Sequence, residues 1–302
     1  MKIAITGAFG YTGKEIARIL LNHNHAVLTL TNTIPQDPPD QNKMTVCPLN
    51  FQNPEELESS LYGCEILINT YWVRFNHQNF TFDQAIENTK VLFDAARRAG
   101  VRRIIHTSIA NPSEDSPFEY YRGKAKIEKY LMESGTDYTI LRPTVIFGAN
   151  DILINNIAWT LRRFPVVGYF GDGQYHIRPI HIQDFARLAA HSIYEEENRI
   201  LDAAGPEVYT YLGLLQTISK ILSLRRIIIP VPISLGYAVA RMVGSLHHDI
   251  FLTKEEIGAL MADLLTSDAP ACGQIHLSDW IRENINTIGR HYASELARRQ
   301  KK

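Results

Sequence analysis

The feature that most limits what this chain can fold into lies at its start. Ile3-Ala4-Ile5 reads as a strand and runs straight into Thr6-Gly7-Ala8-Phe9-Gly10-Tyr11-Thr12-Gly13. Lys14 to Leu21 follows with Ile16, Ala17, Ile19 and Leu20 on one face, the spacing of an amphipathic helix. A G-x-x-G-x-x-G turn between a strand and a helix uses each glycine differently. Gly7 lets the chain turn sharply, Gly10 leaves room for ligand oxygens near the backbone, and Gly13 lets the helix pack closely. The helix opening then offers unpaired N–H groups and a partial positive charge. That suits a diphosphate cradled by the stretch containing Gly7, Phe9, Gly10, Tyr11, Thr12 and Gly13. Lys14 follows Gly13 directly, but the G-x-x-x-x-G-K-S/T pattern of a triphosphate-binding loop is absent.

Downstream, short apolar runs alternate with helical patterns. Ala26–Leu30, Met44–Leu49, Glu65–Asn69, Arg103–Thr107 and Tyr138–Phe147 read as further strands, the last interrupted by Pro143. Thr33–Lys43, with Pro35, Pro38 and Pro39, reads as a surface loop. Asn53-Pro54-Glu55-Glu56 predicts a helix start capped by Asn53 and closed by Glu56, and Ser116-Pro117-Phe118-Glu119 predicts a second one, its helix running to about Glu133. Phe82–Ala99 predicts a long helix ended by Gly100. Such alternation implies an α/β fold, a Rossmann-like doubly wound parallel sheet covered on both faces. Residues 1–150 form the expected nucleotide-binding domain and 151–302 a smaller, mostly helical cap against the open end of the sheet. Asn198–Ala203, near 198–204, is expected to return to the sheet as a late strand. Asp184–Tyr194, Thr210–Leu222, Thr253–Leu265 and a last helix from Leu277, broken near Gly289, read as helical. Thr253 and Glu256 have the spacing of a capping box.

Charge and cysteine content exclude several function classes. Lys plus Arg is 31 and Asp plus Glu is 32, a net charge of −1, so nucleic acid or anionic lipid would need a local patch. The tail Arg298, Arg299, Lys301 and Lys302 reads as a solvated helix end. Cys47, Cys64 and Cys272 are widely separated, which fits a reduced, cytoplasmic protein. The longest apolar stretch, Ile227–Ala240, holds Pro230 and Pro232 and falls short of the roughly 20 residues that span a bilayer. It reads as an extended segment leading into a buried helix, with a monotopic membrane contact as the alternative. His247-His248-Asp249 lacks complementary ligands and reads as surface histidines, so no metal is expected. Glu195-Glu196-Glu197 reads as a solvated helix end and Arg162-Arg163 as a helix surface.

A second constellation bears on chemistry. Tyr120 and Lys124 stand at i and i+4 on one helix face, about 6 Å apart along the axis. A lysine ammonium near a phenol favours the phenolate, which can then act as acid or base at a carbonyl or carbinol. Tyr121 has no lysine four residues on.

The T-G-x-x-G-x-x-G turn followed by Y-x-x-x-K resembles extended and atypical short-chain dehydrogenases/reductases, over most of the chain. The resemblance implies that Ser108, with Thr107 as substitute, steadies a substrate oxygen, that Tyr120 moves a proton, and that Lys124 also holds the nicotinamide ribose. Asn88 resembles a helix-four asparagine of the same families. Asn50-Phe51 stands where relatives place Asp and an aliphatic residue at adenine. Asn69-Thr70-Tyr71-Trp72 stands where they place small residues beside the nicotinamide ribose. Tyr71 and the substrate candidate Trp72 either narrow the pocket, stack on a ligand or pack beneath a loop. Arg142-Pro143-Thr144-Val145-Ile146-Phe147-Gly148 resembles the R-P-x-x-x-F/Y-G strand, which implies that Pro143, Thr144 and Val145 flank the nicotinamide. Ile180–Ala186 resembles a V-x-V-x-D-V/L-A segment in which Asp184 caps a helix, and Tyr175 and Arg178, just before it, are candidates to reach substrate.

The second strand ends in Thr31-Asn32-Thr33, with no carboxylate to hold an adenosine ribose. Asn32 and Thr33 can donate to a ribose or a 2′-phosphate, so the cofactor is NAD or NADP, with NADP favoured. The expected function is an oxidoreductase or epimerase of a small-molecule substrate. The compact glycine turn and the Ser113-Glu114-Asp115-Ser116-Pro117 approach to Y-x-x-x-K resemble the NmrA-like and complex I accessory-subunit-like branches, which implies the alternative of a non-catalytic NADP(H)-sensing regulator or assembly partner. A protein partner or a homo-oligomer fits either reading.

Overall fold

The computed structural model describes residues 1–34, 40–77 and 80–300. Pro35, Pro38 and Pro39 of the expected loop, Lys301 and Lys302 of the tail, and the side chains of Arg298 and Arg299 lie outside the described residues. The elements run β1 (Lys2–Thr6), α1 (Tyr11–Asn22), β2 (Ala26–Leu30), β3 (Met44–Cys47), α2 (Pro54–Leu61), β4 (Ile66–Asn69), α3 (Phe82–Arg98), β5 (Arg103–Thr107), α4 (Glu119–Glu133) and β6 (Asp137–Pro143). They continue with β7 (Val145–Phe147), α5 (Leu153–Arg163), β8 (Val166–Phe170), β9 (His176–Ile177), β10 (Pro179–His181), α6 (Ile182–His191) and β11 (Arg199–Ala203). The last are β12 (Tyr209–Thr210), α7 (Tyr211–Ile221), β13 (Ile227–Val231), α8 (Ile233–Leu246), α9 (Lys254–Met261), α10 (Leu277–Glu283) and α11 (Glu295–Gln300).

By packing, the described residues divide into two units: Met1–Pro143 with Phe185–Asp202, and Thr144–Asp184 with residues 203–300. In the first, the sheet order is β11-β6-β5-β4-β1-β2-β3. β3 through β6 pair in parallel, with Ile3 opposite both Val27 and Ile66. Strand order reverses around β1, so the carboxyl ends of β1 and β4 form the switch point where doubly wound sheets bind ligands. Ile3, Ile5, Ile66, Ile68, Ile104 and Ile105 are fully buried, as strands covered on both faces must be. Leu57 and Leu61 of α2, Leu92 and Phe93 of α3 and Ile127 and Leu131 of α4 complete one core, each fully buried aliphatic side chain contributing about 1.5–3 kcal/mol. Arg103, fully buried at the start of β5, donates to Tyr138 O (2.7 Å), Thr139 Oγ1 (3.3 Å), Glu196 O (2.8 Å) and Glu197 O (3.0 Å). The acidic run thus contributes two carbonyls to the interior and is not simply a solvated end.

The second unit is built on three two-stranded ladders, β10–β7, β12–β9 and β13–β8. Phe147, Ile154, Leu161, Leu214, Ile218, Leu277 and Ile281 form its core. Arg162 donates to the carbonyls of Ile285 (2.6 Å) and Ile288 (2.9 Å), joining α5 to the turn after α10.

Several local expectations are corrected. The expected sixth strand is two: β6 ends at Pro143, and Val145–Phe147 pairs with Pro179–His181 instead. Proline lacks the N–H that would continue a ladder. Ser116 does not cap α4, which begins at Glu119; its Oγ instead accepts from Phe118 N (3.2 Å), a serine turn that competes with helix entry. Asn53 caps α2 through Glu56 N (3.3 Å), but the Glu56 carboxylate accepts from Asn50 Nδ2 (2.9 Å) and leaves the box open. The Thr253–Glu256 box is complete. α6 begins at Ile182, so Asp184 lies inside its first turn, where Oδ2 accepts from Gln274 N and Ile275 N, both at 2.8 Å. After α10 the chain leaves the helix well before Gly289 and re-enters it only at Glu295. At Gly289, φ is +65° and a Cβ would stand 2.5 Å from the α5 backbone. The helix expected to be buried after Ile227 is instead exposed along one side, at Leu235, Val239, Met242 and Leu246. No helix is long and apolar enough to cross a membrane, and no group of three metal-ligating side chains occurs among the described residues.

Candidate functional site

The glycine turn has the geometry its sequence requires. Gly7 N extends the β1–β2 ladder to Leu30 O (2.9 Å), and the chain then turns at φ +68°. Gly10 N closes the turn on Gly7 O (2.8 Å), and Ala8 N is held by Thr29 Oγ1 (3.1 Å). A Cβ on Gly13 would stand 2.3 Å from Gly7 O, so α1 starts in direct contact with the turn. Its first turn contains no acidic residue. Among the described residues, the amides of Phe9, Thr12 and Gly13 meet no carbonyl. This turn fits a diphosphate: donors are free, the helix dipole is unopposed, and no Cβ blocks the approach.

Beside it, the end of β4 is fastened to β1 and β5. Thr6 Oγ1 donates to Asn69 Oδ1 (2.9 Å) and accepts from the amides of Thr70 (2.7 Å) and Tyr71 (3.0 Å). Thr70 Oγ1 donates to Thr6 O (2.6 Å). Because Asn69 Oδ1 also accepts from Tyr71 N (3.0 Å), its Nδ2 must donate to His106 Nδ1 (3.1 Å). His106 is therefore the Nε2–H tautomer, with Nε2 buried and unpartnered. Burial, reinforced by the nearby Lys124 charge, holds its pKa well below the usual histidine range. The folded chain refuses a proton that the unfolded chain accepts, so His106 lowers stability as pH falls below 6.5.

Lys124 is the electrostatic centre of the site. It is 2% exposed; its Nζ donates to Thr107 O (2.7 Å) and lies 4.4 Å from the centre of the Trp72 ring. Gly123 makes room for that ring, since a Cβ there would meet it at 3.2 Å. One turn on, the buried Glu128 is held by Arg142 through Nε (3.0 Å) and Nη2. Desolvation lowers the Lys124 pKa to about 7, although Glu128 pulls the other way. Next to it, Thr107 Oγ1, Ser108 Oγ and Trp72 Nε1 are buried and find no hydrogen-bond partner among the described residues. Tyr120 is half-buried, edge-on to Trp72 (6.2 Å), Phe82 (5.8 Å) and Tyr121 (5.7 Å).

The depressed lysine makes a pH prediction. Between about 7 and its ordinary 10.5, the unfolded chain holds a proton on Lys124 that the folded chain lacks. Stability should therefore rise with pH across that window, by about 1.4 kcal/mol for each pH unit at most and a few kcal/mol in all. Denaturant titrations of wild type and Lys124→Met at several pH values should show this slope only in wild type. Parallel profiles would contradict it.

Other expected site residues are committed to the fold. Asn32 bridges to the backbone of Leu49 (Nδ2 to O, 2.7 Å; N to Oδ1, 2.9 Å). Thr33 N and O both bond Thr31 Oγ1. Asn50 Oδ1 accepts from Gln52 N (3.2 Å), and Phe51 packs on Tyr71 at 4.8 Å. Asn88 donates to the Tyr71 hydroxyl (2.9 Å). Pro143 O accepts from Ala110 N (2.9 Å). In the second unit, Thr144 gives its amide to Ala203 O (3.3 Å) and its hydroxyl to Arg178 O, while Val145 is buried in β7. Tyr175 is buried, its hydroxyl on Phe170 O (3.1 Å) and its ring stacked on Tyr211. Arg178 borders an open cavity of about 510 Å³, yet its guanidinium donates to the carbonyls of Gly205 (2.8 Å), Ser267 (2.6 Å) and Ala269 (2.6 Å). Sequence reasoning missed His106, although it stands directly before Thr107 and Ser108, because its partner Asn69 is 37 residues away.

The fold and its glycine turn are Rossmann-like, and residues 7–151 match the NAD(P)H-binding family. The chain is similar to mitochondrial NADH dehydrogenase (ubiquinone) subunits. It is 23% identical over 284 residues to NADH dehydrogenase (ubiquinone) 1 alpha subcomplex subunit 9 of Arabidopsis thaliana, covering 87% of this chain and 70% of that protein. The same-named protein of Dictyostelium discoideum is 27% identical over 216 residues, 68% of this chain and 60% of its own length. The chain thus spans only part of these relatives. Among solved structures, the NADPH-dependent quinone oxidoreductase of Escherichia coli, in complex with NADPH, has a TM-score of 0.73 at 21% identity, covering 94% of this chain and 100% of its own. A nucleoside-diphosphate-sugar epimerase of Staphylococcus aureus reaches 0.68 at 21%, covering 97% and 99%. Both share the fold.

Proposed function

We propose that the protein binds NAD(P)(H) on the glycine turn and works as a reductase or epimerase of the extended/atypical short-chain type, on a small carbonyl or carbinol substrate. The observation that carries this reading is the pair of buried, unpartnered hydroxyls, Thr107 Oγ1 and Ser108 Oγ, beside a lysine whose pKa is near 7. Buried polar groups without partners are costly, and a strongly shifted pKa beside the carboxyl end of a strand points to a site for a ligand. The nicotinamide, when bound, supplies or accepts a hydride. Ser108 Oγ holds the substrate oxygen, Tyr120 gives or takes the proton there, and Lys124 steadies the ribose and favours the phenolate. NADP(H) is the preferred form, because Thr31-Asn32-Thr33 carries no carboxylate to repel a 2′-phosphate.

Tyr120→Phe is the test. Turnover should fall about 100-fold or more while NADPH affinity stays nearly unchanged, as loss of a general acid requires. Equal turnover would reject the role. A second reading is favoured by one contact: the Trp72 ring already lies over the Lys124 ammonium, and Thr107 O already accepts its hydrogen bond. A nucleotide-holding assembly partner, as the matched complex I subunits suggest, would bind NADPH, show no turnover across carbonyl and sugar-nucleotide panels, and co-purify with another protein.

A further inference from the structure

Helix α8 is built to pack on one side only. Ala240, Val243 and Gly244 are buried, and a Cβ on Gly236 would stand 2.4 Å from Phe170, so that side presses on β8. On the other side Leu235, Val239, Met242 and Leu246 recur at helical spacing, and they are 56%, 48%, 59% and 73% exposed. β13, paired with β8, adds Ile227 and Ile229, also exposed. Scattered exposed leucines are ordinary, but an aligned stripe beside an exposed isoleucine strand marks a contact surface.

The segment that carries this surface has charges of one sign. Residues 208–248 contain no Asp or Glu, in a chain with 32 acidic residues, while Lys220, Arg225, Arg226 and Arg241 are basic. Arg225 is exposed two residues before β13, and Arg241 is exposed on the flank of the stripe. Lys254, exposed, lies 5.3 Å from the ring centre of Tyr237, one turn before Arg241. Of the next three carboxylates along the chain, Asp249 accepts from Tyr292 Oη and the amides of Glu295 and Leu296, Glu256 closes the α9 capping box, and Glu255 follows Lys254 in the first turn of α9.

We propose that the α8–β13 surface is a monotopic contact with an anionic bilayer. The stripe enters the boundary between headgroups and acyl chains, and Arg225, Arg241 and Lys254 meet lipid phosphates. The 14-residue helix lies in the interface and does not cross it. The charge pattern decides against a second copy of the chain as occupant, because a two-fold pairing of this face would set these cations against their own kind.

The test is flotation of the full chain with phosphatidylcholine vesicles, with and without phosphatidylglycerol, at low and high salt. Binding should require the anionic lipid and weaken with salt. Arg241→Gln should lower partitioning about fivefold, and Met242→Glu about tenfold or more. Circular dichroism and NADPH affinity should not change, since neither residue belongs to the unit that carries the glycine turn; those controls separate this contact from the nucleotide-binding reading. Absence of binding, equal binding to neutral vesicles, or full binding by Met242→Glu would overturn the proposal. So would a dimer in light scattering that Met242→Glu dissolves, which would assign the face to self-association.

Discussion

Gly13→Ala is expected to abolish dinucleotide binding. The added Cβ would stand 2.3 Å from Gly7 O, 2.9 Å from Gly7 C and 3.1 Å from Ala8 Cα. Neither partner is the flexible end of a side chain. Either α1 lifts off the turn or the Gly7 peptide rotates, and both scatter the amides that would face a diphosphate. Losing two charge-assisted hydrogen bonds to phosphate oxygens lowers affinity about 100-fold or more. Fluorescence titration with NADPH checks this. Gly10→Ala is the gentler companion: its Cβ would meet Gly7 O at 3.1 Å, so the turn can largely keep its shape while the ligand's approach is filled. Wild-type affinity in both variants would show that the nucleotide, if bound, sits elsewhere.

Arg103→Met should be the most destabilising single change away from the turn. The guanidinium is fully buried and satisfies three carbonyls and a hydroxyl that belong to β6 and the 196–197 segment. A methionine fills part of the volume and leaves those acceptors dry. Removing one side of a buried charged network costs about 3–5 kcal/mol, a large fraction of the stability of an ordinary domain. Arg103 lies at the opposite end of β5 from Thr107, so NADPH affinity of the folded fraction should persist. Urea titration measures the loss. A change below about 1 kcal/mol would mean that water replaces the guanidinium.

What was legible in the sequence was whatever depends on neighbours along the chain. The parallel strands announced themselves as apolar runs, the glycine turn by its spacing, and the α9 start by Thr253 and Glu256. What was not legible depends on distant partners. Asn32, Asn50 and Asn69 stand near strand ends where ligands bind, and as bare letters they look like ligand groups. In the fold their amides bind Leu49, Gln52 and Glu56, and Thr6 and His106. Tyr175 and Arg178 likewise spend their polar atoms on carbonyls within their own unit. Trp72 and Lys124 are 52 positions apart, so the cation–π contact that buries the lysine leaves no local trace. The apolar run through α8 suggests a buried helix, because hydrophobicity alone does not say which side the fold covers.

The most direct measurement of the central claim, that the turn and the opening of α1 bind a diphosphate, is a titration of the wild-type protein with NADPH, followed by displacement with ADP-ribose. ADP-ribose carries the diphosphate without the nicotinamide. Saturable NADPH binding that ADP-ribose competes away, and that Gly10→Ala loses, is the expected result. No saturable binding, or binding indifferent to both ADP-ribose and Gly10→Ala, would contradict it.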